Sequence, residues 1–227
     1  MLLAIDTSTR WVGLALYSGA AVTGEMVWES QNHHTVEVAP ALQTMLKRNG
    51  VAQDDLRAIG VALGPGSFTS LRIGLGLAKG LALALNIPVI GIPTLDILVA
   101  AQPVRDLPLA AVLQAGRGRL AVAWYKMEML PRGHAAWRCH AEPAVMRAEE
   151  LAQQIHRPTL VCGELSAEER QLLARKRKNV ILASPASSVR RPAYLAELAW
   201  ARWQAGKMDD PISLAPYYLH YGEAIPG

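Results

Sequence analysis

The chain has 227 residues, of which 51% are hydrophobic and 19% charged, and a formal net charge of +4. This composition excludes an intrinsically disordered chain, and the length allows roughly 72% of the surface of the extended chain to be buried. The cysteines, 2 in number, do not make a disulfide framework, the N-terminus lacks a basic signal segment, and no apolar run approaches the roughly 20 residues of a membrane span. We therefore expect a cytoplasmic protein without a membrane segment.

Apolar runs separated by short turns predict a three-stranded antiparallel meander at the N-terminus, followed by alternating helices and strands. The strands are expected at residues 2–6, 11–17, 20–28, 56–63 and 87–92, and the helices at residues 31–48, 69–85 and 94–101. Pro40 lies inside the first helical stretch, so this helix either begins just before Pro40 or bends there. The element order of this half is β-β-β-α-β-α-β-α.

The same element order restarts after a break at residues 102–106. Strands are expected at residues 108–114, 119–125, 134–140, 159–163 and 180–183, with a last strand-like piece at 217–221, and helices at 148–156, 166–178 and 192–204. A meander followed by crossovers, occurring twice, predicts an α/β protein with the duplicated ribonuclease-H-like fold of the actin-like (ASKHA) ATPases. We expect two subdomains, 1–102 and 103–227, each with a mixed five-stranded sheet and flanking helices, and a last helix that can pack back on the first subdomain.

The turn after the first predicted strand contains the candidate site residues Asp6, Thr7, Ser8 and Thr9. An acid at a strand end, followed by hydroxyl groups, can hold a hydrated cation and a phosphate oxygen. The same residues also cap turns, which is the preferred interpretation on this motif alone. Nucleotide-hydrolysing members of the superfamily carry a second acid in the second half, where this chain has the neutral amide of Gln114. The two-acid arrangement is incomplete, which argues against strong ATP turnover by this chain alone.

A glycine-containing loop precedes the helix predicted at residues 69–85 and contributes Gly64, Gly66 and Ser67 to the same candidate site. Glycines let the backbone approach a ligand closely, and a helix N-terminus offers unpaired N–H groups to an anion. The loop lacks the Gly-Lys-Ser/Thr ending of a P-loop. A tight turn with Ser67 or Thr69 as the helix N-cap explains the residues equally well, so both interpretations stay open.

The helix predicted at residues 69–85 is apolar almost all round, so we expect it to be buried on most sides. Arg72 and Lys79 are its two charged residues and fall on one stripe with Gly76 between them. Gly76 and Gly80 would let another backbone pack closely. The alternative is that both cations reach out of a buried helix toward solvent.

Neither the histidines nor the cysteines have metal-ligand spacing, so we expect no metal site. The pairs are His33 with His34, His134 with His140, and Cys139 with Cys162.

Basic runs at residues 175–178 and 190–191 leave RNA contact open, and the first run also suits the C-terminal end of a helix. Tryptophans do not interleave with these runs in the sequence, so the sequence does not predict a stacking surface for nucleic-acid bases.

Several segments together resemble the TsaB (YeaZ) family of tRNA threonylcarbamoyladenosine biosynthesis proteins. The segments are residues 3–9, 34–40, 64–74, 78–82, 91–95 and 216–219, and the run Gly-Pro-Gly-Ser-Phe-Thr at residues 64–69 is the most specific. The chain departs from the family pattern at Ser70, at Gln114 with the turn that follows it, and at His220.

The resemblance implies a subunit with no catalytic residues of its own, needed for threonylcarbamoylation of adenosine 37 (t6A) in tRNAs that read ANN codons. It implies a scaffold or activator of a catalytic TsaD-like protein, joined by a TsaE-like ATPase, with a homodimer in isolation and tRNA contacted mainly through the complex. No cofactor is firmly implied, and ATP or ADP with Mg²⁺ stays open at the level of the complex. The loops containing Asp6 and Gly64 are then vestigial as a nucleotide- or anion-binding site.

In this family the N-terminal helices make the partner contacts. On this chain the corresponding interface residues are His34, Val38, Leu42, Met45, Arg72, Gly76, Lys79 and Gly80. Two alternatives remain: an actin-like ATPase or small-molecule kinase that uses Asp6 and the loop 64–67, and a direct tRNA-binding module.

Overall fold

The computed structural model describes residues 1–31, 33–130, 135–176 and 178–219. The chain divides into two compact units, of which the first consists of Met1–Ala101 and Arg190–Tyr217, and the second is built on Gln102–Val189. The passage into the second unit falls within one residue of the predicted boundary. The return at Arg190 is not part of the predicted division, which assigned only the last helix a contact with the first subdomain.

The first unit contains a five-stranded sheet with the strand order β3-β2-β1-β4-β5. Its elements are β1 (Leu2–Asp6), β2 (Trp11–Tyr17), β3 (Val22–Glu29), α1 (His34–Arg48), β4 (Ala58–Ala62), α2 (Phe68–Leu85), β5 (Val89–Ile92) and α3 (Thr94–Ala100). The meander β1-β2-β3 is antiparallel, whereas β4 and β5 continue the sheet parallel to β1. This is the strand order of the ribonuclease-H-like fold.

Helices cover both faces of this sheet, which explains why β1 and β4 are buried along their whole length. Helices α1 and α2 pack on one face, and the helix of the returning segment packs on the other. On that second face a Cβ atom at Gly60 would lie 2.7 Å from the Cβ of Ala199, so the glycine permits the close approach of the helix. Farther along the segment, the Asp209 carboxylate accepts a hydrogen bond from the Gly91 N–H at 2.7 Å and fastens the segment to β5.

The second unit repeats this architecture around a six-stranded sheet with the order β11-β10-β6-β7-β8, in which β9 also pairs with β7. Its elements are β6 (Leu109–Gln114), β7 (Leu120–Met129), β8 (Ala135–Cys139), β9 (Ala144–Met146), α4 (Ala148–Gln154), β10 (Thr159–Gly163), α5 (Ala167–Ala174) and β11 (Val180–Leu182), and α6 (Pro192–Gln204) belongs to the first unit. The central strand β6 again runs antiparallel to the next strand and parallel to β10. The predicted duplicated ribonuclease-H-like fold is therefore confirmed.

Several predicted boundaries need correction. The second sheet has six strands and not five. The additional strand β9 could not be predicted, because it has only 3 residues and is too short to show an alternating pattern. Helix α1 begins at His34 and contains Pro40 in its interior. The predicted last strand at 217–221 is not a strand over its described residues 217–219, and residues 220 and 221 lie outside the described part of the chain.

Helix α2 is less buried than its composition predicts. Only 33% of its residues are buried, and these lie on a face that includes Leu71, Leu75 and Ala78, whereas Leu83 is 84% exposed. Among the described helices, α2 is also the one that is long and apolar enough to cross a membrane by length and composition, although core helices of soluble proteins pass the same test. Arg72 and Lys79 interrupt α2, so the helix is not an uninterrupted apolar run of the roughly 20 residues of a membrane span. The apolar side of α2 that faces away from the sheet still needs an explanation.

The two cysteines differ sharply in their surroundings, which gives a first testable prediction. Burial in β10 raises the pKa of the Cys162 thiol to about 12, whereas Cys139 is exposed. Because the thiolate is the reactive form, a thiol reagent at neutral pH should modify Cys139 in the native protein and both cysteines only in denaturant. A Cys139→Ser variant should be inert until it is unfolded, and equally rapid native labelling of both thiols would contradict the assigned burial.

Candidate functional site

Asp6 stands at the carboxyl end of β1, where the sequence places its candidate cation ligand, but its carboxylate is turned into the first unit. Its side chain is 2% exposed and pairs with the side chain of Arg190, which is 1% exposed. Asp6 Oδ2 accepts a hydrogen bond from Arg190 Nε at 2.8 Å, and Oδ1 accepts one from the backbone N–H of Ser8 at 2.8 Å. Both oxygens therefore have partners within the chain.

The guanidinium of Arg190 extends this contact to the rest of the turn. Its Nη2 donates to Thr9 Oγ1 at 3.0 Å and to the carbonyl oxygen of Trp11 at 3.2 Å. A buried ion pair is tolerated when further hydrogen bonds satisfy the remaining polar atoms, and the planar donor set of arginine suits several acceptors at once. The Asp6–Arg190 pair thus fixes the 6–9 turn. In the sequence, Arg190 is recognisable only as one of two neighbouring basic residues.

The hydroxyl groups of the turn are also used internally. Thr7 Oγ1 donates to the carbonyl oxygen of Ser70 at 2.7 Å, and Ser8 Oγ lies 2.8 Å from Thr94 Oγ1. Thr94 Oγ1 in turn accepts a hydrogen bond from the backbone N–H of Gly64 at 2.9 Å. The imidazole Nε2 of His34 is 3.0 Å from the carbonyl oxygen of Thr9, which can only accept, so Nε2 carries the proton.

The loop 64–67 packs directly against this turn by backbone contacts. The N–H of Ser67 donates to the carbonyl oxygen of Ser8 at 2.7 Å, and a Cβ atom at Gly66 would lie 2.2 Å from that same oxygen. Gly64 adopts a φ of +112°, and Ser67 Oγ accepts a hydrogen bond from the Ser70 N–H as the N-cap of α2. The glycines therefore allow the chain to approach itself, which supports the tight-turn interpretation over an anion site.

The second half offers an amide at the corresponding position. Gln114 ends β6, and its Nε2 donates to Glu169 Oε2 at 2.7 Å and to the carbonyl oxygen of Glu164 at 3.2 Å. The described residues contain no group of three histidine, cysteine, aspartate or glutamate side chains placed to hold a metal ion. In each unit, the polar side chain at the carboxyl end of the central strand, Asp6 or Gln114, makes hydrogen bonds within the chain.

The predicted interface residues on α1 need correction. His34, Val38, Leu42 and Met45 are between 2% and 6% exposed and lie in the core of the first unit. The periodicity that singled them out marks the face that meets the chain's own sheet, because the core needs the same apolar stripe that a partner would need. They do not lie on an accessible surface.

The predicted interface residues on α2 are more exposed than those on α1. Arg72, Gly76 and Gly80 are exposed, and Cβ atoms built on the two glycines would meet nothing within 4 Å. Together with Leu83 they form what we call the α2 stripe. The Arg72 guanidinium carbon lies 4.7 Å from the centre of the Phe68 ring. Lys79 is partly buried, and its Nζ donates to the carbonyl oxygen of Ile212 at 3.4 Å, so this lysine is engaged within the first unit.

Fold and site together define an α/β protein of the duplicated ribonuclease-H-like class in which the acid at the end of the first strand is paired with a buried arginine. Comparison with known proteins narrows this class. Residues 26–190 match the family model described as TsaD, tRNA N6-adenosine threonylcarbamoyltransferase. The Bacillus subtilis tRNA threonylcarbamoyladenosine biosynthesis protein TsaB is 30% identical over 230 residues, which cover 98% of this chain and 95% of the relative.

Two further relatives agree. The Escherichia coli TsaB is 32% identical over 155 residues, covering 68% of this chain and 65% of the relative. A solved structure of YeaZ from Pseudomonas aeruginosa superimposes with a TM-score of 0.76 at 27% identity, covering 96% of this chain and 99% of that one. The chain belongs to the TsaB family.

Proposed function

We propose that this chain takes part in forming t6A at adenosine 37 of tRNAs that read ANN codons, as a non-catalytic subunit that supports a TsaD-like catalytic protein. Its whole-chain relative is named a tRNA threonylcarbamoyladenosine biosynthesis protein, and the matching family model is named for the transferase. Both names support a role in this pathway beside a TsaD-like partner.

The observation that carries the non-catalytic role is the buried pair between Asp6 and Arg190. A carboxylate that binds hydrated Mg²⁺ must present an oxygen to the ion, but both oxygens of Asp6 accept hydrogen bonds from the chain. Turning Asp6 toward a ligand would leave the Arg190 guanidinium buried without its counter-ion, which is strongly unfavourable. The alternative ATPase or small-molecule kinase needs Asp6 and the loop 64–67 to be open, so these contacts disfavour it.

The test is reconstitution of tRNA modification from purified components. The full chain, a TsaD-like protein and a TsaE-like ATPase from the same source are combined with unmodified tRNA, and each protein is omitted in turn. We expect t6A formation to be lost when this chain is omitted, and no phosphate release when it is incubated alone with ATP and Mg²⁺. Modification that proceeds without this chain, or stoichiometric ATP turnover by the chain alone, would refute the proposal.

The α2 stripe is the surface we propose for the partner, either the TsaD-like protein or, in isolation, a second copy of this chain. The stripe joins the exposed Leu83 to two glycines that have open space around them. Glycines without a neighbour weaken an isolated helix, whereas they let a second helix approach closely when a partner is present. A large apolar residue left exposed beside them is consistent with a surface that is covered in a complex.

Gly76→Trp should therefore abolish association with the TsaD-like protein, or with a second copy, without unfolding the monomer. Gly76 is exposed and nothing lies within 4 Å of its Cβ position, so the new side chain starts in open space in the monomer, but it would hold a partner helix away. Sedimentation velocity and co-purification measure the association, with Gln171→Trp on the exposed side of α5 as the matched control. Unchanged sedimentation of the Gly76→Trp variant would count against this surface.

Two further parts of the proposal concern the setting of the complex. A TsaE-like ATPase joins the pair, which the omission series tests, and ATP or ADP with Mg²⁺ acts at the level of the complex, which leaving the nucleotide out of the complete mixture tests. The complex works in the cytoplasm, a location that rests on the low cysteine content and that cell fractionation tests.

A further inference from the structure

The second unit contains a pocket of about 380 Å³ that no part of the proposed function uses. Its lining consists of Pro108, Trp124, Lys126, His140, Gln154, His156, Arg157 and Thr159. Pro108 precedes β6 and Thr159 begins β10, so the pocket opens at the amino ends of these parallel strands. Gln114 marks the opposite end of β6, about 20 Å away at 3.3 Å per residue. The pocket is therefore separate from the strand ends discussed above.

The lining combines an aromatic side chain with a high density of cations. Trp124 is half-buried, packs against the core of the second unit and also lines the pocket, so part of its indole stays accessible. Lys126 and Arg157 are exposed, and His140 and His156 add two imidazole rings with N–H donors. Among the described residues, neither Lys126 nor Arg157 has an ion-pair partner. Uncompensated cations beside an indole fit an anion that carries an aromatic ring.

The fold brings these residues together from distant parts of the sequence. Trp124 and Lys126 point to the same face of β7, and the backbone N–H of His140 donates to the carbonyl oxygen of Trp124 at 3.0 Å. Arg157 comes from the loop between α4 and β10. This juxtaposition supplies the combination of aromatic and basic residues that the order of residues along the chain does not show.

Further basic residues lie beyond the pocket, along the same end of the sheet at which the parallel strands begin. The backbone N–H of Thr159 donates to the carbonyl oxygen of Asn179 at 2.8 Å, so the turn with the exposed Lys176 and Lys178 lies beside the start of β10. A single small anion needs one cationic site, whereas a polymer of phosphates uses cations spaced along a surface. The extended arrangement favours a nucleotide within an RNA chain over a single nucleotide.

We propose that this pocket binds one unstacked nucleotide of the tRNA, with its base stacked on Trp124 and its phosphates contacting Lys126 and Arg157. That the RNA is a tRNA rests on the proposed function, whereas the chemistry of a base next to a phosphate rests on the pocket. Stacking on an aromatic ring is tolerant of base identity, and phosphate contacts carry no sequence information, so the site adds affinity and position without selecting a sequence.

The experiment measures binding of an unmodified tRNA transcript to the full chain alone, by fluorescence anisotropy at several salt concentrations. We expect Trp124→Ala to weaken binding about fivefold or more, the lower limit for loss of one base–aromatic stack, and Trp124→Phe to retain most of the affinity. Lys126→Ala and Arg157→Ala should each reduce the slope of log affinity against log salt by about 0.7 to 0.9. Lys47→Ala and Arg48→Ala, at exposed positions at the end of α1, are the matched controls and should change neither quantity.

Because Trp124 also contributes to packing, the double variant Lys126→Ala/Arg157→Ala keeps the test valid if Trp124→Ala does not fold. Unchanged tRNA affinity and salt slope in the double variant would overturn the proposal. Adenosine monophosphate that binds as tightly as tRNA and is sensitive to the same substitutions would overturn the RNA assignment in favour of a free nucleotide. A chain that is dispensable for t6A formation but binds tRNA through Trp124 would refute the proposed function and leave the pocket assignment standing.

Discussion

Arg190→Ala should lower the free energy of unfolding by about 3–5 kcal/mol, the range for breaking a buried ion pair by removing one partner. The Asp6 side chain, 2% exposed in the native structure, would lose the partner of its Oδ2, and the hydrogen bonds from Arg190 to Thr9 and Trp11 would be lost as well. Urea unfolding followed by circular dichroism measures the change. A loss of this size is a large fraction of the stability of an ordinary domain, so we also expect poor yields of the variant at 37 °C.

The neighbouring Arg191 provides the matched control for this prediction. Arg191 also pairs with a carboxylate, that of Glu25, but its side chain is 55% exposed. Exposed pairs contribute about 0–1 kcal/mol, so Arg191→Ala should change the unfolding free energy far less than Arg190→Ala does.

A double variant that removes both charges of the buried pair, Asp6→Asn/Arg190→Met, should be less destabilised than the sum of its single variants, because no buried charge is left alone. An Arg190→Ala variant with an unaltered midpoint that gains affinity for Mg²⁺ and ATP would instead mean that Asp6 is a ligand held in reserve.

The local elements and the fold class could be predicted from the sequence because they depend on local patterns. Apolar runs gave the strands, and the order of elements pointed to the duplicated fold. The amphipathic face of α1 was also recognised, but the pattern cannot tell whether the chain's own sheet or a partner covers it. His34 and Val38 show that the chain's own sheet covers this face of α1, since both are buried in the core of the first unit.

The candidate site could be predicted only in part, because its chemistry depends on distant residues. Asp6 was found from its place at a strand end, but its partner Arg190 is 184 residues away and has no local signal. The consequence is large, since an acid that can bind a cation and an acid neutralised by arginine look alike in sequence. The pocket around Trp124 could not be predicted for the same reason, because its aromatic and basic residues are neighbours across a sheet and not along the chain.

Gly66→Ala should destabilise the first unit by about 1–3 kcal/mol, the usual cost of inserting atoms into a well-packed region. The added Cβ would lie 2.2 Å from the carbonyl oxygen of Ser8 and 2.9 Å from its carbonyl carbon, so relief requires movement of backbone rather than rotation of a side chain. That movement would lengthen the hydrogen bond from the Ser67 N–H to the Ser8 oxygen, now 2.7 Å. Because the 6–9 turn also holds Asp6, we expect the damage to reach the buried ion pair. Thermal unfolding of the purified variant measures the loss.

The control for Gly66→Ala is Gly80→Ala, where the new methyl group would meet nothing within 4 Å. In the middle of α2 this change should be neutral or stabilising by up to about 1 kcal/mol, because alanine is the better helix former. Opposite signs for two identical chemical changes would show that Gly66 is needed for the contact between two loops of the chain. If instead Gly66→Ala left stability unchanged and impaired only nucleotide binding, the loop would be open to a ligand. The self-packed arrangement around Asp6, and with it the argument against catalysis by this chain, would then fail.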